Sequence, residues 1–506
     1  MLGNASLLDF LSIGTVVPAA RPWPRFRLDG KAWRALVERM DAADWLLLAE
    51  WAEPGEVHIA LRDEGSGSIA IASRPCPDRR FFAVGQVRPG AIRLERAIHD
   101  LWGLVPEGLE DRRPWLDHGR WPCRHPLAAE KLPPAGSPPP YAFLAAEGEG
   151  LHQIPVGPVH AGVIEPGHFR FHAQGETVVR LEERLGYLHK GIHGLMAGKP
   201  LAQAARLAGR ISGDSTVAYA LAFARAVEAA TGCEVPARAH WLRALMAELE
   251  RIANHVVDIG AICNDAAFAM PLAHMSELRE KLLRANALLF GHRLSMDCVV
   301  PGGVACDLDD DGIEVLRHLL SRLRKRFEKG VGLYSDTPSL LDRTTGTGVV
   351  SGSLAHRFGA GGFVGRAASR SHDARKVPGY PPYDDLDFAV PVMAEGDVHA
   401  RVMVRVQEVR ASLGLIDQIL AGLPGGACRV DVPRQDGEGL ALVEGFRGEV
   451  AVWVRLDGDG RVAAAHFHDP SWFQWPLLAA ALEGNIVADF PLCNKSFNCA
   501  YSGVDL

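Results

Sequence analysis

Apolar residues at helical spacing dominate the chain after about residue 150. Leu, Ala, Arg and Glu recur there with the period of an amphipathic helix in segment after segment. Helices of this length must bury their apolar faces against one another, so the pattern predicts a mainly helical domain over residues 150–506. The predicted helices span roughly 177–196, 214–231, 236–264, 273–298 and 309–330, with a further one in "DVHARVMVRVQEVRASLGLIDQILAGL".

A smaller unit precedes the helical region, over residues 25–121. "KAWRALVERMD" has the spacing of a helix, and "AIRLERAIHDLWGLVPEG" predicts a helix that ends in a glycine turn. Between them, "EVHIALRD" and "SIAIASR" alternate apolar and polar residues around "EGSG", a pattern typical of a β-hairpin. Because helix and hairpin are segregated, this unit is predicted to be α+β. Residues 1–24 are predicted to be a short surface or docking segment.

Residues 122–149 separate the two units. Seven prolines fall between residues 122 and 143, a composition typical of a semi-rigid linker. We therefore expect the units 25–121 and 150–506 to fold separately on a flexible join. The fold class predicted for the whole chain is α+β, with a small N-terminal α+β domain and a larger, mainly helical one that carries peripheral β-hairpins.

Several segments of the larger unit depart from the helical pattern. "VGPVHAGVIEPGHFRFHAQGETVVRLEER" predicts strand, loop, strand, turn and then helix, and "EVAVWVRLDGDGRVAAAHF" predicts a hairpin around Asp-Gly. Residues 335–395 are rich in Gly, Ser and Pro, and a loop of that length is usually functional or docks on a partner. The final stretch, 485–506, is predicted to be mostly non-helical.

Composition excludes several classes of protein. The net charge of −7 over 506 residues gives no basic stripe, so no nucleic-acid partner is expected. The nine cysteines contain no C-x-x-C pair, which is typical of a reducing compartment and suggests no cysteine metal site. No apolar run reaches 18 residues, and the N-terminus lacks the basic region of a signal peptide, so neither a membrane span nor a signal peptide is predicted.

Two short motifs carry residue pairs three positions apart. "RISGDS" contains Ser212 and Ser215, and "HDPSWFQW" contains Ser471 and Gln474. With cysteine at these positions, both motifs would be metal half-sites. A neutral hydroxyl or amide is a weak, hard donor and does not replace a thiolate, so the residues themselves favour helix N-caps at Ser212 and Ser215.

Ionisable residues gather in three further places. His160, Glu165 and His168 share one Gly/Pro-rich loop, where they are either a proton relay, a metal site or solvated loop residues. The predicted helix 236–264 and the residues after it carry several charged groups at i, i+3 and i, i+4 spacings, which is ordinary surface pairing. Arg447 lies in "VEGFRGEVAVWV" at the entry to a strand, where a tight turn can point it into a cleft.

Taken together, these segments resemble a known family. Residues 150–506 resemble the large subunit of membrane-bound [NiFe] hydrogenases of the formate hydrogenlyase type and the homologous hydrogenase-like subunit of respiratory complex I. The segments "GPVHAGVIEPGHFRFHAQGE", "RAHWLRALMAELERIANHV", "VPGGV", "YPPYDDLDFAVPV" and "RVQEVRASLGLIDQIL" carry the match, in that order. Residues 30–120 resemble the neighbouring complex I subunit through "LERAIHDLWGLVPEGLEDRRPWL", so the two subunits are fused here.

The resemblance implies a degenerate metal site. In the hydrogenases, the two motifs read R-x-C-G-x-C and D-P-C-x-x-C, so the four ligand positions correspond here to Ser212, Ser215, Ser471 and Gln474. The resemblance therefore implies no Ni-Fe centre and no redox cofactor in this chain, with iron–sulfur clusters in partner subunits. We expect the two motifs still to converge on one polar cavity that includes Gln474.

The resemblance also implies roles for the retained ionisable groups. Glu165 matches a glutamate that passes protons, and Arg447 matches an arginine over the metal pocket. His160 and Asp265 match the histidine and aspartate near the quinone headgroup, whereas the quinone-binding tyrosine aligns with Gly213. We expect a proton relay centred on Glu165 beside Arg447, with His160, His168 and Asp265 as secondary members, and a quinone is a candidate ligand.

The function implied is that of a hydrogenase-like subunit of a membrane-associated, complex I-related electron-transfer and ion-translocating complex. It would act in coupling or as a scaffold, as part of an oxidoreductase complex, without hydrogenase activity of its own. The alternatives are a quinone-reducing subunit and a purely structural docking subunit. The implied partners are an iron–sulfur small subunit and antiporter-like membrane subunits, and the implied location is peripheral, on the cytoplasmic face of the prokaryotic inner membrane.

Overall fold

Strands and helices are mixed in the N-terminal part of the chain, and helices dominate after it. The computed structural model describes residues 6–40, 42–134, 140–162 and 164–506. The strands are β1 (Thr15–Val17), β2 (Ala20–Arg21), β3 (Arg25–Arg27), β4 (Trp45–Glu53), β5 (Glu56–Asp63), β6 (Ile69–Pro75), β7 (Arg80–Phe82), β8 (Val105–Glu107), β9 (Leu151–Val156), β10 (His168–Gln174), β11 (Thr177–Arg184), β12 (Lys199–Pro200), β13 (Val299–Val300), β14 (Gly303–Val304), β15 (Gly437–Glu444), β16 (Glu449–Leu456) and β17 (Arg461–His468). The α-helices are α1 (Leu7–Leu11), α2 (Gly30–Met40), α3 (Ile92–Trp102), α4 (Ile192–Met196), α5 (Leu201–Ala208), α6 (Thr216–Thr231), α7 (Ala237–Asp265), α8 (Ala269–Phe290), α9 (Asp310–Ser335), α10 (Pro338–Thr344), α11 (Gly352–Phe358), α12 (Gly362–Ala367), α13 (Val398–Gly422), α14 (Ser471–Leu482), α15 (Phe490–Phe497) and α16 (Ser502–Asp505).

The N-terminal unit is built on a five-stranded sheet in the order β1-β3-β6-β5-β4. The predicted hairpin is confirmed, because β5 and β6 pair antiparallel from Glu56 opposite Pro75 to Arg62 opposite Ile69. The two predicted helices are confirmed as α2 and α3. Helix α3 ends at Trp102 because Gly103 adopts the left-handed conformation, with φ of 69°, that a helix C-terminus favours. The α+β fold class predicted from the sequence is confirmed.

The N-terminal unit and the larger unit share a packed seam. Strand β2 joins the second five-stranded sheet, ordered β12-β17-β16-β15-β2, through parallel pairing of Ala20 with Glu438. Trp51 of β4 packs on Trp453 of β16 with 5.7 Å between ring centroids, and Arg25 binds Glu438 at 2.6 Å. The expected flexible join between independent units is therefore wrong, because both sheets bury apolar faces against each other. The boundaries 1–24, 25–121, 122–149 and 150–506 remain a prediction.

Most of the predicted long helices are confirmed as α6, α7, α9 and α13. Helix α8 ends at Phe290 rather than near 298, because Gly291 has φ of 79° and caps it in the left-handed conformation. The predicted hairpin around Asp-Gly is confirmed as β16 and β17, which pair antiparallel. Among the described residues, no helix is long and apolar enough to cross a membrane.

Three predictions for the larger unit are wrong. The helix predicted over 177–196 is strand β11, which pairs antiparallel with β10, followed after a turn by the short helix α4. β-Branched residues at the start of that segment suit a sheet, and pairing overrides the helical spacing. The Gly-rich region 335–395 folds into α10, α11 and α12 instead of one long loop. The C-terminal stretch contains α15 and α16, and α15 has a proline in its first turn, as helix starts favour.

Most polar residues in the middle of α7 are buried, so the surface pairing predicted for Glu248, Arg251 and His255 is wrong. Helix α7 packs against α8 on one side and α13 on another, which leaves its charged side chains inside. Glu248 accepts hydrogen bonds from Tyr383 Oη and Ser412 Oγ, each at 2.6 Å, and binds Arg375 Nη1 at 3.0 Å. His255 Nε2 lies 2.7 Å from Glu408 Oε2. We call this cluster the charged core.

We predict that replacing Glu248 with alanine destabilises the protein by about 3–5 kcal/mol, because the Arg251 and Arg375 guanidinium groups would stay buried without their shared carboxylate. Urea unfolding of both proteins measures this difference. The matched control is Glu328→Ala, which breaks the exposed pair with Arg410 and should cost less than about 1 kcal/mol. Equal losses in the two variants would contradict the account of the charged core.

Candidate functional site

A cavity of about 750 Å³ lies between four parts of the chain. Its walls are the loop after β9, the turn before α6, the C-terminal end of α7 and the segment from α15 to α16. It brings together five of the residues predicted from the sequence, namely His160, Glu165, Ser212, Asp265 and Arg447.

An ion pair occupies the wall formed by "RISGDS". Arg447 donates to both carboxylate oxygens of Asp214, from Nη1 at 2.8 Å and from Nη2 at 2.6 Å. The hydroxyls of Ser212 and Ser215 donate to the same carboxylate at 2.7 and 3.2 Å. Burial acts to raise the pKa of Asp214, but Arg447 and these hydrogen bonds outweigh it and lower the pKa to about 2. Asp214 is therefore ionised across the physiological pH range.

The tight turn between β15 and β16 presents Arg447 to this carboxylate. Gly445 N donates to Gly448 O at 2.8 Å, and Gly448 has φ of 137°, which favours glycine. Arg447 Nε donates to Asn498 O at 2.5 Å. The Asp214 pair raises the pKa of Arg447 against the effect of burial, so its charge is permanent. The prediction that a turn points this arginine into a cleft is confirmed.

Ser212 and Ser215 occupy N-cap positions without capping. Neither side chain accepts a hydrogen bond from the helix that follows it. The Glu250 carboxyl group takes that role for α6, accepting from Val217 N at 2.7 Å and Ala218 N at 3.1 Å. The capping prediction is wrong because both hydroxyls donate to Asp214 instead.

Ser471 and Gln474 lie outside the cavity lining, so the expectation that the polar cavity includes Gln474 is wrong. The two motifs do meet at Arg447, whose carbonyl accepts from Gln474 Nε2 and whose guanidinium donates to Ser215 Oγ at 3.0 Å. Ser471 Oγ accepts from Ala500 N at 2.9 Å, and Gln474 Nε2 donates to Arg447 O at 2.8 Å. Both residues hold backbone behind the cavity. Residues 498–501 line the cavity together with Ser212.

A second group of ionisable side chains surrounds His160. Its Nε2 lies 3.4 Å from the hydroxyl of Tyr501, and both side chains line the cavity with Asp265 and Lys495. Burial and the Lys495 ammonium both lower the pKa of His160. Burial raises the pKa of Asp265, although Lys495 acts in the opposite direction. These opposing effects give the cavity an imidazole and a carboxyl that are closer in proton affinity than in water.

Glu165 is exposed at the rim of the cavity, and its carboxylate accepts from Ser502 N at 3.0 Å. Arg447, which we expected beside Glu165, forms its ion pair with Asp214. Burial lowers the pKa of Lys190, and the Glu165 carboxylate opposes this shift. Burial raises the pKa of Asp505 to about 7, and Glu165 adds to that increase. The rim position gives Glu165 contact with both solvent and cavity.

His168 does not line the cavity. It begins β10, its Nδ1 lies 3.3 Å from Gly157 O, and its ring packs on Phe143 at 5.0 Å between centroids. The structure thus separates His168 from the other predicted relay residues, and its part in a relay has no geometric support.

Sequence reasoning missed Asp214, Lys495 and Tyr501. Asp214 stands between the two serines of "RISGDS", and an acid flanked by hydroxyls and preceded by Arg210 was the available signal. No motif marks Tyr501, because its partner His160 lies 341 residues away in the chain.

The donors present do not fit a Ni-Fe centre. Nickel and iron in such a centre need thiolates, which are soft anionic ligands. Ser212 and Ser215 offer neutral hydroxyls already committed to Asp214. Cys499 is the one thiol among the described residues that line the cavity, whereas such a centre is held by several thiolates.

Two families match the chain. The family described as the 49-kDa subunit of respiratory-chain NADH dehydrogenase matches residues 265–436 and 429–506, and the nickel-dependent hydrogenase family matches residues 190–260.

Similar proteins include both hydrogenase-type subunits and NADH-quinone oxidoreductase subunits. The carbon monoxide-induced hydrogenase of Rhodospirillum rubrum is 32% identical over 350 residues, which span 69% of this chain and 97% of that protein. Formate hydrogenlyase subunit 5 of Escherichia coli is 30% identical over 82% of this chain and 75% of its own length. An NADH-quinone oxidoreductase subunit of Dehalococcoides mccartyi is 30% identical over 69% of this chain and 97% of its own length. The chain therefore belongs to the family that unites the large subunits of nickel-dependent hydrogenases with the 49-kDa subunit of respiratory-chain NADH dehydrogenase, as a complex I-related, hydrogenase-like subunit.

Proposed function

We propose that this chain is a coupling subunit that has lost the Ni-Fe centre and uses its cavity to move protons. The observation that carries the proposal is the Asp214–Arg447 ion pair, held by Ser212 and Ser215 at the motif that resembles a metal half-site. A guanidinium paired with a carboxylate satisfies the charges there without a metal. Hydroxyls oriented toward that carboxylate are not free to act as ligands.

The proton role rests on the ionisable groups that share the cavity. Glu165 stands at the rim in contact with solvent, whereas His160 and Asp265 both line the cavity and both feel the charge of Lys495. A cavity lined by polar groups holds ordered water, since each water finds two to four partners. Water between a rim carboxylate and an inner imidazole and carboxyl provides a route for proton transfer.

The proposed setting is a multi-subunit, membrane-associated oxidoreductase complex. The relatives are named as a formate hydrogenlyase subunit and NADH-quinone oxidoreductase subunits, and this supports partner subunits for the present chain. Because we propose that the Ni-Fe centre is lost, we also propose an iron–sulfur small subunit as the electron-carrying partner. We propose antiporter-like membrane subunits as the ion-translocating partners. The chain would be peripheral, on the cytoplasmic face of the prokaryotic inner membrane.

Quinone reduction is a second candidate, favoured by one contact. Tyr501 Oη and His160 Nε2 lie 3.4 Å apart and both line the cavity. A phenol beside an imidazole can donate two hydrogen bonds to a quinone carbonyl. The position that holds the quinone-binding tyrosine in the family is Gly213 here and has no hydroxyl. Tyr501 offers a hydroxyl from another part of the cavity.

We predict that Glu165→Gln lowers the proton-coupled activity of the assembled complex by roughly 10²-fold or more, the usual contribution of a positioned acid–base group. Glutamine keeps the shape and the acceptor for Ser502 N while removing the ionisable group, so assembly should persist. The control is Glu176→Gln, in the exposed turn between β10 and β11. Full activity of the Glu165 variant would favour the scaffold alternative.

If the cavity binds quinone, Tyr501→Phe should raise the half-inhibitory concentration of a quinone analogue about tenfold, the cost of one lost hydrogen bond. Inhibition curves of the assembled complex measure this, with Tyr187→Phe, away from the cavity lining, as the matched control. An unchanged curve for the Tyr501 variant rejects quinone binding at this site.

A further inference from the structure

A second, much smaller cavity adjoins the first, and Asp214 lines both. Its volume of about 10 Å³ is close to the minimum that holds one water molecule. It lies between α6, α7 and α8 and the turn after α8. Its polar lining comes from Asp214, Glu250, Asn254, Arg279, Asn286 and Ser295.

Three buried polar atoms around this space have no hydrogen-bond partner among the residues that the structure describes. They are Arg279 Nε, Asn286 Oδ1 and Ser295 Oγ. One is a donor, one is an acceptor and the hydroxyl is both. Buried polar atoms are nearly always satisfied, and a single water placed here can accept from the guanidinium, donate to the amide oxygen and bond to the hydroxyl.

Glu250 is the titratable group of this small cavity. Its carboxyl meets Val217 N and Ala218 N at the start of α6, and Asn254 Nδ2 ties the backbone of Glu250 to that of Asp214, at 2.9 and 2.8 Å. Burial raises the pKa of Glu250 to about 8, helped by the negative charge of Asp214 and opposed by the two amides and Arg251. The acid is thus mostly protonated at neutral pH.

The charged groups nearest Glu250 form their contacts with other residues. Asp214 is held by Arg447, and Arg251 donates to the carbonyls of Glu444 and Gly445 and to Glu248. Arg279, on α8, is the cation that lines the small cavity itself. Glu250 therefore has no ion-pair partner in the described part of the chain. Its negative charge is neutralised when the carboxyl group takes up a proton.

We propose that Glu250 and a water bound by Arg279, Asn286 and Ser295 form a proton-exchange site behind Asp214 that supplies the large cavity. The site rests on the proton role proposed above. In one cycle the Glu250 O–H bond breaks and its proton passes to a water molecule of the large cavity beside Asp214. The Glu250 carboxylate then takes a proton from the water bound by Arg279, Asn286 and Ser295, and the hydroxide left behind regains a proton from solvent. One proton passes, and the residue and the water end as they began.

The first test measures the titration of Glu250 in the full chain by urea unfolding between pH 4.5 and 9. A carboxyl whose pKa is raised in the folded state stabilises that state fully below the unfolded pKa, and this stabilisation is lost as pH rises toward 8. In wild type, the titration of Glu250 should change the unfolding equilibrium constant by up to tenfold per pH unit. The Glu250→Gln variant should lack this contribution.

The comparison with wild type is needed because other buried acids titrate in the same range, such as Glu95, Glu183 and Asp505. Subtracting the profile of the variant from that of wild type isolates Glu250. Glu234→Gln, an exposed residue in the loop before α7, is the matched control and should leave the profile unchanged. A Glu250 variant with the profile of wild type overturns the proposal, whatever the Glu165 variant shows.

The second test uses the assembled complex. Glu250→Gln should lower proton-coupled activity by at least about tenfold and remove the limb of its pH profile near pH 8. Asn286→Leu, which fills the small cavity and removes an acceptor for the water, should lower activity while keeping the Glu250 titration in the unfolding profile. Full activity of both Glu250→Gln and Asn286→Leu overturns the proposal. This holds even if Glu165→Gln loses activity, a result that would support the proton role of the large cavity alone.

Discussion

The charged core around α7 holds the functional site in place. Arg251 is buried in it, and its guanidinium donates to the carbonyls of Glu444 at 2.7 Å and Gly445 at 2.9 Å. These two residues begin the turn that carries Arg447. The position of the cavity arginine is therefore fixed by a side chain of α7, about 200 residues earlier in the chain. Ionic groups this deep are costly to bury, and the network persists because each charge meets several partners.

The same core also reaches the opposite wall of the cavity. Asn498 Nδ2 donates to Asp258 Oδ2 at 2.8 Å, and Arg405 packs beside that carboxylate at 3.6 Å. Residues 498–501 line the cavity, so α7 and α13 help to position this part of the site as well as Arg447. A rigid frame of this kind preserves a cavity whether or not a metal occupies it. It explains how the fold of a hydrogenase-like subunit can carry a site in which an ion pair is held by hydroxyls.

Much of this fold could be predicted from the sequence, and the failures have physical causes. The spacing of apolar residues predicted α6, α7, α9 and α13, because the periodicity of a helix can be read from neighbouring residues alone. The same spacing failed at 177–196, where pairing with β10 decides the structure. The helical spacing also predicted that the charged residues of α7 lie on the surface. Spacing identifies the apolar face of a helix, but it does not show that another helix covers the polar face.

The site was predicted in part. His160, Glu165, Asp265 and Arg447 do meet at one cavity, whereas Ser471 and Gln474 support its backbone from behind. The pairing of Tyr501 with His160 and the capping of α6 by Glu250 depend on contacts between distant segments, which no local motif encodes.

Metal analysis tests the central claim most directly. The assembled complex, purified from cells grown with added nickel and assayed while active, should contain no stoichiometric nickel, because the hydroxyls of Ser212 and Ser215 are hydrogen-bonded to Asp214 and one thiol, that of Cys499, lines the described part of the cavity. Activity should be equal in preparations from nickel-free medium. One nickel per chain, or activity that requires nickel, would contradict the account.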